Sequence, residues 1–391
     1  MSHQSCYDFI ILSTQDWDAL PTRKHRFARM WAAEGHRVLY VEQQMHWAGW
    51  LVDLSNQFSR AWRWLAGPRQ VEQNLWVLTL PIVLPFFQMS GLINAINNVF
   101  LLPLIQMQAR RLGFRHPILW TYTPHSADFI GKLGEQAAIY ECVDDFTASK
   151  GLVNGAVIGR LERRLIEAVD LLIVTAAGLV EKKKTGARAV KLISNGVDVS
   201  HLAQAADPSY PAAEPVASLP RPIVGYLGTL NYWIDTGLLA HIARAHPDWT
   251  LLLVGPVDLL ADMKPLEGLP NIVRTGRIPY TEVPAYVKVF DVCVNPYHLD
   301  EVAEHCSPLK LYEYIATGKP IISVDMPEAR LFDGLVTIAN DPEQFVAALE
   351  AALANDDGEL AELRRQEALQ HDWRRRFDAA NDALNEVIHG R

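Results

Sequence analysis

The stretch HCSPLKLYEYIATGKPIIS, residues 305–323, is an apolar helical pattern with a cation and an acid set into it near its start. Lys310 and Glu313 stand three residues apart, so they share one helix face. Ser307 is a favoured N-cap and Pro308 a favoured first helical residue, which predicts a helix beginning there and continuing through Leu309. Gly318 and Pro320 stop it, and residues 320–323 read as the next strand. A helix start presents free N–H groups and a partial positive charge that suit a phosphate. Lys310 adds a full charge to that end, and Glu313 has the acceptors to hold ribose hydroxyls. A plain surface Lys–Glu pair on an amphipathic helix would leave the same pattern, and both readings stand at this point.

Outward from this stretch, short apolar runs alternate with helix-length amphipathic segments along the chain, the rhythm of an α/β protein with parallel sheets. Strands are expected at 9–12, 38–41, 75–80, 118–121, 138–142, 171–174 and 190–194 in the first half. In the second half they are expected at 223–226, 250–254, 272–275, 292–295 and 320–323. Helices such as 22–34, 157–168, 233–245, 280–289, 309–317 and 342–354 lie between them. Residues 203–222 hold five prolines and six alanines with almost no large apolar side chain, and read as a linker. Two doubly wound Rossmann-like domains follow, residues 1–202 and 223–372, facing each other across a cleft. Residues 373–391 read as a helix packing back on the first domain.

At 391 residues, with 49% hydrophobic and 21% charged residues, the composition is that of two well-packed globular domains. The four cysteines have no C-x-x-C spacing, which suits a reducing, cytoplasmic environment better than a disulfide scaffold or zinc site. The first residues lack the basic region and apolar length of a signal peptide. Residues 1–200 carry 21 Lys and Arg against 17 Asp and Glu, whereas residues 201–391 carry 15 against 28. That balance argues against nucleic acid as a partner and leaves a mildly basic first half for an anionic one.

Residues 46–70 break the α/β rhythm with four tryptophans. Leu51, Leu54, Phe58, Trp62 and Leu65 fall at helical spacing, with Arg60 and Arg63 beside them. They suit either an interfacial helix touching the inner face of a membrane or an excursion packed on its own domain. Residues 80–105 are apolar but interrupted by Pro85, Gln88, Asn94, Asn97, Asn98 and Pro103, which leaves them short of a spanning helix.

The segment SPLKLYEYIATGKPII resembles the donor-binding helix of GT-B glycosyltransferases, where a lysine meets the diphosphate and a glutamate the ribose of a sugar nucleotide. LISNGVD (192–198) is similar to the segment closing the first domain of family 4-like members. PIVGYLGTLNYWIDTGLL (222–239) looks like the opening strand and loop of their second domain. NIVRTGRIPYTEVPAYVKVFDVCVNPY (271–297) matches the elements that follow. His305 stands where many family 4 members carry a second glutamate, with Glu304 one residue away. This S-x-x-K arrangement is closer to exopolysaccharide and teichuronic-acid glycosyltransferases, including the xanthan glucuronosyltransferase. The resemblance implies donor contacts from Ser307, Pro308, Leu309, Lys310 and Glu313, and contact with the base from Arg277 and Ile278. Gly228 and Thr229, just past a strand, let backbone approach a phosphate, although a tight turn explains the glycine equally well. Tyr297 would line the donor pocket, or be structural.

In the first domain, IYECVDDFTASKG places Asp144 and Asp145 just beyond a strand, where one carboxylate can act as general base and the other as a helix cap. The resemblance makes Asp144 the base. It also places a site histidine in the loop holding His125, a residue that simple loop exposure explains as well. Asp16 and Trp17 follow the first strand and point toward acceptor recognition. Arg23, with Lys24 and Arg26, sits against the dipole of the next helix, which suggests an anion or else a solvated basic face.

No D-x-D stands out where a divalent metal would bridge a diphosphate, and no G-x-G-x-x-G, Walker A, G-x-S-x-G or H-E-x-x-H pattern is present, so no metal or cofactor is expected. The expected activity is transfer of a sugar from a UDP- or GDP-linked donor to a lipid-linked or saccharide acceptor. The competing readings are a nucleotide-sugar epimerase of the same architecture and a two-lobed sugar-binding protein without catalysis.

Overall fold

The computed structural model describes residues 6–46, 54–148, 153–355 and 358–390. The chain forms two compact units, Met1–Ser194 with Phe377–Arg391, and Asn195–Arg376. All twelve expected strands are present, with four short ones added.

The first unit holds β1 (Asp8–Leu12), β2 (Arg37–Val41), β3 (Met45–His46), β4 (Arg69–Glu72) and β5 (Leu75–Leu78). It continues with β6 (Ile82–Val83), β7 (Ile118–Thr121), β8 (Ala137–Cys142), β9 (Leu171–Val174) and β10 (Val190–Leu192). The main sheet runs β10-β9-β8-β7-β1-β2-β5-β4, and β3 pairs with β6 apart from it. Only the edge pair β4–β5 in this sheet is antiparallel. Every residue of β1 and β8 is buried, as expected of strands covered on both faces. Sequence order reverses at β1, which lies between β2 and β7. Loops following strands on either side of such a reversal diverge and leave a crevice.

Helix α1 (Arg23–Ala33) starts from Thr22 and buries Phe27 and Trp31. The Trp31 ring packs 4.3 Å from Phe9 and 4.8 Å from Trp120. Truncating so enclosed a ring would cost about 3–5 kcal/mol. The tail helix Trp373–His389 reaches this cluster: Phe377 lies 5.6 Å from Phe27, and Trp31 Nε1 donates to Asn381 at 2.8 Å.

Two other helices differ from expectation. Residues 47–53 of the tryptophan-rich segment lie outside the described residues, and residues 54–66 form α2 (Leu54–Ala66). Its arginines do not make a free basic face. Arg60 is buried against Asp16, and Arg63 donates to Asp18 at 2.7 Å. The stretch expected to fall short of a spanning helix instead contains α3 (Gly91–Arg111), 21 residues with Pro103 inside. Among the described residues it is the one helix long and apolar enough to cross a membrane by length and composition, and 39% of its most apolar window is buried.

The second unit holds β11 (Ile223–Leu227), β12 (Thr250–Val254), β13 (Ile272–Gly276), β14 (Val292–Asn295), β15 (Ile321–Val324) and β16 (Thr337–Ala339). They form one parallel sheet, β13-β12-β11-β14-β15-β16, whose order reverses at β11. Helices Thr236–Ala245, Leu309–Thr317 and Pro342–Ala354 contribute Leu239, Leu311 and Leu349 to a single core.

Residues 203–222 are not a free linker. They form two short turns of helix that bury Ala205 and Val216 in this unit, and Ala213 N–H donates to Ala285 O at 3.1 Å. Small apolar side chains fill shallow gaps there, so low bulk does not mean low burial. The division between units falls earlier, at Ser194/Asn195.

Candidate functional site

The helix Leu309–Thr317 starts one residue later than its sequence suggests. Pro308 is its N-cap, with φ −66° and ψ 119°, and the first turn receives no side-chain cap. The physical reason lies in Ser307. Its hydroxyl donates to Glu328 Oε1 at 2.5 Å instead of turning to the helix, and Glu328 is buried. A bond to a carboxylate is roughly twice as strong as a neutral capping bond, so the acid wins the hydroxyl. Tyr312 donates to the same carboxylate, and the Asn195 side chain donates to Ser307 O at 2.7 Å. Ser307 therefore holds the chain ahead of the helix and leaves the helix start open.

Lys310, the second helical residue, is 8% exposed. Its Nζ donates to the Tyr297 hydroxyl at 3.3 Å and lies 4.5 Å from the Tyr297 ring centre and 4.8 Å from that of Tyr226. Among the described residues no carboxylate forms an ion pair with it. Burial pulls its pKa down to about 7, against the weaker opposite pull of Cys306 and Glu313. A cation held by aromatic faces and one hydroxyl, with no ion pair among the described residues, is suited to an incoming anion.

Gly228 follows β11 at the reversal point with φ 130°, a conformation that L side chains rarely adopt. A Cβ there would lie 3.2 Å from Lys310 Cε. Thr229 is partly exposed and accepts from the Tyr226 hydroxyl at 2.8 Å. The reversal point of this sheet thus brings together Gly228, Tyr297 and Lys310. Glu313 is partly exposed one turn beyond Lys310. Pro308 is buried and Leu309 partly so. Arg277 is exposed and Ile278 half-buried, both just past the edge strand β13.

The first unit has a cavity of ≈ 360 Å³ at its own reversal point, walled by the segments after β1, β2, β7 and β8. Asp144 and His125 both line it, together with Lys24, Gln15 and Glu42. Asp144 is exposed to the cavity while protein surrounds it on the other sides. Burial raises its pKa, Lys24 pulls it back, and Asp145 adds to the rise. Asp145 turns away and accepts from Thr147 Oγ1 at 2.7 Å, Lys182 at 2.5 Å and Lys183 at 3.0 Å. Burial works against its charge, but these donors outweigh it and hold its pKa low. The two adjacent acids thus have separate surroundings, and only Asp144 faces the cavity.

His125 is held at three points. Its Nδ1 meets Thr123 Oγ1 at 3.0 Å, and its carbonyl accepts from Asn94 at 3.1 Å and Asn98 at 2.8 Å. Its Nε2 is buried without a partner among the described residues. Burial pushes its pKa to about 4, so the ring is neutral near pH 7.

The residues expected to recognise the acceptor are built into the fold instead. Arg23 is buried against Glu141, a fully buried acid in β8 that also accepts from Trp120 Nε1 at 2.7 Å. A carboxylate inside a parallel sheet needs a cation, and Arg23 supplies it. Trp17 is buried; its N–H donates to Glu42 at 3.0 Å, and its ring packs on His25, Tyr40 and Arg29. Asp16 takes the buried charge of Arg60. Their neighbours face the cavity in their place. Lys24 adjoins Arg23, and Glu42 is the residue just past the end of β2. An acid directly after a central strand was the available signal for Glu42.

Residues 221–355 match the family described as glycosyl transferases group 1. A candidate teichuronic acid biosynthesis glycosyltransferase of Bacillus subtilis (strain 168) is 29% identical over 255 residues, 60% of this chain and 63% of that relative's length. Among solved structures, sucrose-phosphate synthase from Thermosynechococcus elongatus superposes with a TM-score of 0.72 at 16% identity, over 98% of this chain and 100% of that one. The trehalose-6-phosphate structure from E. coli bound with UDP-2-fluoro glucose gives 0.70 at 12% identity, over 97% and 99%. At such identities the likeness establishes the fold.

Proposed function

We propose that this chain, GT-B in fold and carrying a group 1 glycosyltransferase domain, moves a sugar from a nucleoside-diphosphate sugar to a hydroxyl of a lipid-linked or saccharide acceptor. The observation that carries the reading is Lys310, a buried ammonium with no acid partner among the described residues, beside Gly228 at a sheet reversal. The neighbour bound to a UDP-sugar favours UDP over GDP as the donor nucleotide. The teichuronic acid relative favours a cell-surface polymer, or its lipid-linked precursor, as the acceptor.

In this reading Lys310 and the uncapped helix start at Pro308–Leu309 receive the diphosphate and stabilise it as leaving group. Gly228 and Thr229 let backbone approach the phosphates. Glu313 binds the ribose, Arg277 and Ile278 the base, and Tyr297 holds the lysine in place. Asp144 takes the proton from the acceptor hydroxyl as general base. A carboxylate with a raised pKa is a stronger base than an ordinary one, and Lys24 offsets part of the rise. The neutral His125 ring offers Nε2 as a polar contact for acceptor or sugar. All four cysteines are free, in keeping with a reducing cytoplasmic location.

Calorimetric titration with UDP and GDP tests the donor half directly. Binding of one of them, lost in Lys310→Ala, is expected. Unchanged binding in that variant would refute the phosphate assignment.

A further inference from the structure

Helix α3 buries amides beside Leu101, Ile105 and Ala109 and leaves its other apolar side exposed. Its buried residues include Asn94, Asn97, Asn98 and Gln108, whereas Leu92, Val99 and Phe100 are 72%, 69% and 71% exposed. At 100° per residue, Leu92, Ile96, Val99, Phe100, Pro103 and Met107 fall within about 120° of one another, opposite the amide face. Arg110 and Arg111, both exposed, continue the same stripe at its C-terminal end, and exposed Arg115 follows. The amides are not stray polar groups. Asn94 and Asn98 hold the His125 carbonyl, and Asn97 clamps Leu84 through both N–H (3.0 Å) and carbonyl (3.1 Å).

A second feature points the same way. Phe86 adopts φ 64°, a left-handed conformation that a bulky residue rarely takes. The turn it makes sets Phe86 outward at 50% exposure and Phe87 inward against the cavity. Leu84 and Met89 are exposed beside it. The end of α2 packs on the opposite, amide face of α3, where a Cβ at Gly67 would lie 3.8 Å from the Gln108 amide.

Charge identifies the occupant. Between Glu72 and Asp128 the chain has no acidic residue, although the protein as a whole carries −9. An apolar stripe about 30 Å long ending in arginines matches the acyl-headgroup boundary of an anionic bilayer, with the helix lying in its plane. We propose that α3 and the 85–89 turn dock this protein on an anionic membrane surface. The inward faces of the same elements, Phe87, Gln88 and Ile105, wall the cavity that holds Asp144 and His125. A hydroxyl on a lipid headgroup would therefore reach the cavity from the docked face. This last step rests on the glycosyltransferase reading and narrows its acceptor to a lipid-linked one.

The test is flotation of the full chain with vesicles of phosphatidylcholine, alone or mixed with phosphatidylglycerol. The wild type should float with the mixed vesicles, and the bound fraction should fall at least tenfold in Val99→Asp/Phe100→Asp. Arg110→Glu/Arg111→Glu should lose most binding to mixed vesicles, and salt near 1 M, where the Debye length is ~3 Å, should mimic it. These side chains are exposed, so the variants should keep the wild-type UDP-induced thermal shift, which checks their folding. Failure of the wild type to float, or equal flotation of the Asp variant, overturns the proposal. So does a dimer in solution that the Asp variant abolishes while vesicles bind neither protein. If vesicles bind but no nucleotide does, the docking face stands and the glycosyltransferase reading fails; the converse separates them the other way.

Discussion

Replacing Lys310 with methionine should stabilise the ligand-free protein and at the same time remove its affinity for nucleoside diphosphates. The side chain is 8% exposed, and burial takes its pKa from 10.5 to about 7. At ~1.4 kcal/mol per pH unit, the charged form carries about 5 kcal/mol of unrelieved desolvation. The folded-state pKa is the lower one, so the unfolded chain binds more protons between pH 7 and 10.5, and stability rises with pH across that window. Below pH 7 both states are protonated and the penalty is constant. Methionine fills a similar volume, carries no charge and packs well against the Tyr226 and Tyr297 rings. Urea unfolding of the second unit should therefore favour K310M by about 2–5 kcal/mol at pH 6, and the advantage should shrink by ~1.4 kcal/mol per pH unit between about 7 and 10. In the wild type a bound diphosphate restores the ammonium, so binding takes up a proton, and the Kd for UDP should rise up to tenfold per pH unit above about 7. A K310M protein that is less stable at pH 6 and still binds UDP would refute the reasoning, since Lys310 would then be a satisfied structural lysine.

Asp144→Asn should lower kcat by about 10²–10⁴ with donor affinity unchanged; retained turnover would remove Asp144 as the base. Because burial raises the Asp144 pKa, activity should fall on the acid side at a pH above the ordinary carboxylate range, as the base form is lost. His125 should stay neutral from about pH 5 to 8, so its NMR ring signals should not titrate there, and a midpoint near 6.5 would mean that the cavity is open to bulk water. Gly228→Val should destabilise the second unit by about 1–3 kcal/mol through its φ of 130° and weaken UDP binding at least tenfold by crowding Lys310; unchanged binding would place the phosphates elsewhere.

The strands were readable because a parallel strand covered on both faces is mostly apolar along its length, as in residues 9–12 of β1, β11 and residues 251–254 of β12. The added strands are two to four residues long, mostly partly exposed or at sheet edges, and leave too few side chains to form a pattern. Helix α3 escaped for a different reason. Its asparagines look like interruptions until one sees that they face inward onto the His125 and Leu84 backbone. Periodicity assumes that polar means outside, and here four amides lie inside beside Leu101 and Ile105 while a second apolar stripe lies outside. Arg23 and Ser307 were misread alike, because each answers a buried acid far along the chain, Glu141 or Glu328, that local sequence does not reveal. Asp144 and His125, by contrast, both follow central strands beside a reversal of strand order, and topology alone brings them to one cavity.

The two units also suggest how one architecture divides two tasks. Each sets a buried lysine at the second position of a helix next to its reversal point, with the ammonium over tyrosine: Lys24 lies 5.3 Å from the Tyr122 ring, as Lys310 lies over Tyr226 and Tyr297. Burial lowers the pKa of both. The difference is in the acids. The pull of Asp144 and Glu141 offsets part of that fall at Lys24, and Lys24 offsets part of the burial-driven rise at Asp144. Lys310 has only the weaker pull of Cys306 and Glu313 and settles near neutrality. On the proposed reading, Lys310 and Gly228 in the second unit receive the diphosphate and Asp144 in the first takes the proton.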